Sequence, residues 1–222
     1  MREAYHEELA SISDGLVEMA NMVSSAMGMA TTALLDADLQ LAESVISGTA
    51  RVDDLQHNLE DRAIAVLARQ QPVARDLRVV VTSLRMSADL ERCGVLAQHV
   101  AKLARMRFPE KAVPRDLRRT ILEMGQLAQR LMAQAAEVLI THDVNAALQL
   151  ETDDDRMDEL HRTIFQHLMD EQWHHGVATA VDVTLVGRYY ERFADHAVAV
   201  AQRLVYLVTG EHADTLTTHG PA

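Results

Sequence analysis

The sequence predicts an all-α fold of two tandem three-helix bundles, built from long antiparallel helices and related by an internal repeat. Three observations carry that prediction. Apolar residues recur at helical rather than strand spacing along the chain. Hydrophobic residues make up 48% of the sequence but aromatics only 4%, so the core must be made from Ala, Leu, Val and Met, which suit helix-on-helix packing. Two segments of the first half also recur in the second half, in the same order.

The first helix is expected over residues 5–35, stopping near Asp36-Ala37-Asp38. The second runs over 38–69, with Gly48 as a soft spot, and ends before Gln71-Pro72. The third covers 73–106. Phe108-Pro109-Glu110-Lys111-Ala112-Val113-Pro114 then interrupts the pattern, because each proline removes a backbone donor. A fourth helix is expected over 115–141, a fifth from 143 to around 173–176, and a sixth over 177–208 with Gly210 as its C-cap. Helices of ~30 residues span ~45 Å and fit bundles joined by short turns. The expected units are thus residues 1–108 and 115–210, with 211–222 as a flexible tail.

Two anchors define the repeat. Ala88-Asp89-Leu90-Glu91-Arg92-Cys93-Gly94-Val95 overlays Arg188-Tyr189-Tyr190-Glu191-Arg192-Phe193-Ala194-Asp195, sharing Glu-Arg. Upstream, Arg51-Val52-Asp53-Asp54-Leu55 overlays Arg156-Met157-Asp158-Glu159-Leu160. The offset falls from 105 to 100 between them, which predicts a shorter connection between the last two helices of the second half.

Composition excludes several classes of function. A net charge of −12 argues against nucleic-acid binding, which needs a basic face. The dense basic cluster Arg115, Arg118 and Arg119 reads as a solvated helix start. One cysteine, Cys93, allows neither an intramolecular disulfide nor a cysteine-rich zinc motif, and its apolar setting marks it as a small core residue. No run approaches the ~18–20 apolar residues of a membrane span, and the N-terminus has no signal-peptide layout. The expected location is the cytosol, peripheral to a membrane only through protein partners. No Gly-rich phosphate loop and no nucleophile–base constellation is present, so an enzyme is not expected.

What remains is a set of carboxylates. In the sixth helix, Val183, Val186, Tyr190, Phe193, Ala197, Val200, Leu204 and Leu207 form a core stripe, with Glu191 and Asp195 on an adjoining face. In the fifth, Leu150, Met157, Leu160 and Ile164 form the stripe, with Asp154 and Asp158 beside it. If the two faces meet, Asp154, Asp158, Glu191 and Asp195 make an oxygen-rich groove for a hard or borderline divalent or trivalent cation. The alternative is four hydrated surface carboxylates, a common arrangement on solvated helices. The first half keeps only Asp53 and Glu91 of the same pattern, with Thr49 and Val95 at the other two positions, so any site there is expected to be weak. Among the 11 histidines, Glu171-x-x-His174 has di-iron spacing but lacks a second copy. His196 points away from the carboxylate face, while His142, His161, His167, His174 and His175 are expected on surfaces or near helix ends.

Arg85-Met86-Ser87-Ala88-Asp89-Leu90-Glu91-Arg92, Tyr190-Glu191-Arg192-Phe193-Ala194-Asp195-His196-Ala197 and Leu67-Ala68-Arg69-Gln70-Gln71-Pro72-Val73-Ala74-Arg75-Asp76-Leu77-Arg78 together resemble the PhoU family, in its actinobacterial form. The resemblance covers about residues 5–208. It implies paired three-helix bundles and a (Glu or Asp)-x-x-x-Asp motif that holds metal ions or iron clusters. It also implies a repressor of the phosphate-starvation response that links the ATPase subunit of the phosphate ABC transporter to a sensor histidine kinase. A homodimer is expected. The alternatives are a metal-storage or di-metal redox bundle, or an accessory of a low-affinity phosphate permease. With no anion cradle marked by any motif, direct phosphate sensing is not expected.

Overall fold

The computed structural model describes residues 2–218, with side chains over 7–216. Its elements are α1 (Arg2–Asp36), α2 (Leu39–Gln70), α3 (Ala74–Arg107), α4 (Arg118–Thr141), α5 (Val144–Leu168), α6 (Gly176–Thr209) and α7 (Ala213–Thr218), with no strand among the described residues. The α1–α2 and α4–α5 turns are the same device used twice. Ala37 (φ 56) and His142 (φ 57) end their helices in the left-handed conformation. The next residue is an aspartate N-cap in both cases. Asp38 accepts a hydrogen bond from the Leu41 amide at 2.9 Å, and Asp143 accepts from Asn145 at 2.9 Å and Ala146 at 3.1 Å.

The expected stripes are the buried ones. All eight residues named on α6, and Leu150, Met157, Leu160 and Ile164 on α5, lie in the core. Gly48 does not interrupt α2. Four expectations need correction.

α4 starts later than expected, because Pro114 to Leu117 form a turn in which the Leu117 amide donates to Pro114 O at 3.2 Å. The linker before it is packed rather than loose, since Ala112, Val113 and Leu117 are buried. α5 ends early, at Leu168. Asp170 takes the Gln172 amide at 2.8 Å and the Trp173 indole N–H donates to Gly176 O at 3.2 Å, so local bonds replace the helical ladder. The repeat offset therefore shrinks because α5 has 25 residues against 32 in α2, and not through a shorter connection. Residues 169–175 join α5 to α6, where 71–73 suffice between α2 and α3. Finally, the tail is not wholly frayed: α7 buries Ala213 and packs Leu216 against the core.

Each three-helix unit is also less separate than the sequence implies. α1 packs on α4 and α3 packs on α6, so one hydrophobic core runs through both units, while α2 and α5 lie outside. Contacts along both inner pairs run antiparallel. The Ser24 hydroxyl donates to Gln129 O at 3.0 Å, between residues 105 apart. Cys93 Sγ meets Phe193 O at 3.8 Å, between residues 100 apart. These are repeat-mates touching each other, which places a pseudo-two-fold axis between the units. Close by, the buried Tyr190 hydroxyl donates to Thr31 Oγ1 at 2.9 Å. Further along α3 and α6, Asp89 receives His196 Nδ1 at 3.1 Å and Arg203 Nε at 2.6 Å, and Arg107 pairs with buried Asp182 at 2.6 Å.

Candidate acidic groove between α5 and α6

Asp154, Asp158, Glu191 and Asp195 do come together, because α5 lies directly along α6 and both pairs sit on the facing edges. Gly187 permits the approach: a Cβ there would lie 3.0 Å from Ile164 Cδ1 and 3.2 Å from His161 Cδ2. Asp154 is the centre of the group. It is partly buried, and one of its oxygens, Oδ1, is sealed from solvent without a hydrogen-bond partner. Burial, then the negative charges of Asp195, Asp158, Asp155 and Glu191, push its carboxyl up to about 7. Asp195, half exposed, is also raised, by burial and by Glu191, against the opposing pull of Arg192, Arg188 and His196. Asp158 lies exposed at the rim.

Glu191 is more enclosed, with its side chain 17% exposed. It is held by Arg188, its neighbour one turn back, and lies 3.5 Å from His161 Nδ1. His161 corrects the sequence reading. It was expected on a surface, yet its side chain is 15% exposed and its Nε2 is buried without a partner. The signal was present, since Asp154, Asp158 and His161 are spaced four and three apart and so share one helical face. Glu171 and His174 fall in the turn after α5, which removes the helical geometry their spacing would need. His196 faces α3, where Asp89 binds it. Burial drives Asp89 toward neutrality, but the hydrogen bonds from His196 and Arg203 outweigh it and keep the carboxyl below its ordinary value. Burial, with the nearby Asp89 and Glu91 charges, pushes the Cys93 thiol well up, away from reactivity.

The equivalent place in the first unit is built differently. Asp53 is exposed and Glu91 half-buried, and one turn along the groove the Gln98 amide donates to Thr49 Oγ1 at 2.6 Å and to Ile46 O at 3.2 Å. Lys102 closes the network on Gln98 Oε1 at 2.6 Å. An amide, a hydroxyl and an ammonium group, bonded to one another, thus line that groove. In the second unit the donor set of carboxylates and one imidazole suits a divalent or iron ion, and the buried, unpartnered Asp154 Oδ1 fits that chemistry. Among the described residues no three His, Cys, Asp or Glu side chains already converge as a ligand set. Closing one would require Glu191 to leave Arg188 and Asp195 to leave Arg192, which lies 4.0 Å away.

An all-α body of two repeated three-helix units, with a carboxylate groove on the outer side of the second, defines a repeat-built helical-bundle protein. Residues 16–104 and 121–204 each match the PhoU domain, and this chain belongs to the PhoU family. It is 50% identical over 210 residues to "Phosphate-specific transport system accessory protein PhoU homolog 2" of Mycobacterium tuberculosis, covering 95% of this chain and 99% of the relative. Homolog 1 of Mycobacterium leprae is 47% identical over 220 residues, 99% of each chain. The crystal structure of PhoU from Pseudomonas aeruginosa superposes with a TM-score of 0.85 at 27% identity, over 93% of this chain and all of that one.

Proposed function

We propose that this chain is a non-catalytic regulator of phosphate uptake. It serves as a cytosolic adaptor between the ATPase subunit of a phosphate ABC transporter and a sensor histidine kinase, and represses the starvation response when phosphate is ample. The observation that carries this reading is the family match in both repeats, together with near full-length relatives named as accessory proteins of phosphate-specific transport. No helix among the described residues is long and apolar enough to cross a membrane, which agrees with a role exercised through a membrane-bound partner. Repeat-related apolar side chains stand exposed on the inner helices, Leu77 and Val81 on α3 and Val177 and Val181 on α6, and offer matching faces to partner helices or to a second copy in a homodimer.

The α5–α6 groove is assigned in the same reading to a divalent or iron ion held by Asp154, Asp158, Glu191 and Asp195. The ion would neutralise a cluster in which burial, and then mutual repulsion, raise the Asp154 carboxyl to about 7. Deleting the gene should raise phosphate-starvation transcripts in phosphate-rich medium, and the tagged chain should co-purify with the transporter ATPase from membranes. Normal transcripts and no transporter in the eluate would remove the proposal.

A further inference from the structure

A second polar site lies farther along α6 than the acidic groove, toward the C-terminal end of that helix, beside α3. α3, α6 and the segment leading into α7 border an open recess of about 170 Å³ whose lining includes Thr82, Arg85, Gln202, Arg203, Tyr206 and His212. Every one of these side chains can donate a hydrogen bond, and two are permanent cations. In a chain of net charge −12, two guanidinium groups gather around this one recess, with Asp89 and Asp214 offsetting part of their charge.

The cations are also positioned rather than trailing. Arg203 is anchored through Nε to Asp89 at 2.6 Å, and Asp89, 12% exposed, is held in turn by His196. That bond fixes the plane of a guanidinium whose side chain remains 33% exposed where it lines the recess. Arg85 is exposed on the facing wall and makes no ion pair among the described residues. The floor is fixed too: the Tyr206 ring stacks on His212 with centroids 4.7 Å apart and carries Arg78 over its face at 5.7 Å.

The repeat shows that the fold does not need this arrangement. At the 100-residue offset seen between Cys93 and Phe193, the mates of Thr82 and Arg85 are Asp182 and Leu185, and those of Arg203 and Tyr206 are Leu103 and Met106. There the buried Asp182 is paired with Arg107 at 2.6 Å among apolar neighbours. One backbone arrangement thus carries a closed ion pair at one end and an open set of donors at the other. A volume of about 170 Å³ is below the roughly 300–1,000 Å³ of sites for drug-sized ligands, so the recess suits one oxyanion group. Because the donors come from three elements, no local motif announces them.

We propose that this recess binds a single tetrahedral oxyanion, a phosphate or sulfate group, held between Arg85 on α3 and Arg203 on α6. Asp214 of α7 also lines the recess and opposes the anion with its own charge. The acidic groove plays no part in this site, so the two assignments stand or fall separately.

The test is calorimetric titration of the full chain at fixed low ionic strength with inorganic phosphate, glycerol phosphate and acetate. Saturable one-to-one binding of phosphate is expected, with acetate much weaker. Arg85→Ala should weaken binding by about tenfold or more, as expected for loss of a charge-assisted contact. Asp214→Asn should tighten it, and Arg119→Ala, which removes an exposed arginine elsewhere, should leave it unchanged. Glycerol phosphate binding as tightly as phosphate would assign the site to an esterified group, and weaker binding to the free ion. Absence of saturable binding by both up to about 10 mM, equal binding of acetate, or equal losses in Arg85→Ala and Arg119→Ala would overturn the proposal.

Discussion

The grooves between α2 and α3 and between α5 and α6 occupy the same place in two copies of one fold, and their chemistry is opposite. In the first, Thr49, Gln98 and Lys102 satisfy one another in a closed network. In the second, Asp154 stands where Thr49 does, with a buried oxygen left without a partner and several like charges around it. Packing positions have been kept between the copies, as Met157 and Val52, both buried, show. Polar positions on the groove edges have not. A repeat constrains what fills the core; it leaves the edges free, and there one copy has traded local stability for an unsatisfied acidic cluster.

The comparison can be stressed in three ways, beginning with the largest effect. The two copies stand or fall together because they share a core, and Tyr190 joins them through Thr31. Tyr190→Ala should destabilise the whole chain by about 3–5 kcal/mol in a single unfolding transition. A biphasic denaturation curve, with α1–α3 melting apart from α4–α6, would show that the units are independent domains after all.

Next, Thr49→Asp makes the first groove more like the second. Thr49 is 7% exposed, so the new carboxylate should cost about 1–3 kcal/mol at pH 8 and less near pH 4, where it is protonated. Equal cost at both pH values would mean that shape rather than charge separates the grooves.

The converse change is smaller. Asp154 binds its proton more tightly folded than unfolded, since its carboxyl rises from 3.8 to about 7. The folded state therefore holds the extra proton between those values, and stability falls as pH rises through that window, with the full penalty present above about pH 7. Asp154→Asn should then stabilise the metal-free protein above pH 7 and have little effect below pH 4. The unscreened shift is equivalent to about 4 kcal/mol, and solvent reaching the open groove reduces the expected gain to about 1–2 kcal/mol. Denaturant midpoints at the two pH values provide the check. A gain that did not grow with pH would contradict the crowding of charge in the second groove.

How much of this was legible in the sequence depends on which physical signal carried it. The helices and their buried faces follow from periodicity, and the α6 stripe from Val183 to Leu207 is buried throughout. The meeting of Asp154 with Asp195 followed from two carboxylate pairs at one-turn spacing beside two such stripes. His161 continues the Asp154–Asp158 face three residues on, a signal that one-turn pairs of acids do not contain. The early end of α5 was hidden because its stop is made by Asp170 and Trp173, residues that a helix also accepts. The cationic recess was out of reach, since its walls are far apart in sequence and meet only when α3 packs antiparallel on α6. The shared core had the same cause: amphipathic stripes show that a face is buried but not which helix buries it.

The asymmetry of the two grooves is tested most directly by titrating metal-free protein with Mn²⁺ or Fe²⁺ and counting bound ions, alongside the Asp154→Ala/Asp195→Ala and Asp53→Ala/Glu91→Ala double variants. Binding in the wild type that disappears with the second-half pair, and survives loss of the first-half pair, is the predicted result. Unchanged stoichiometry without Asp154 and Asp195, or dependence on Asp53 and Glu91 instead, would contradict it.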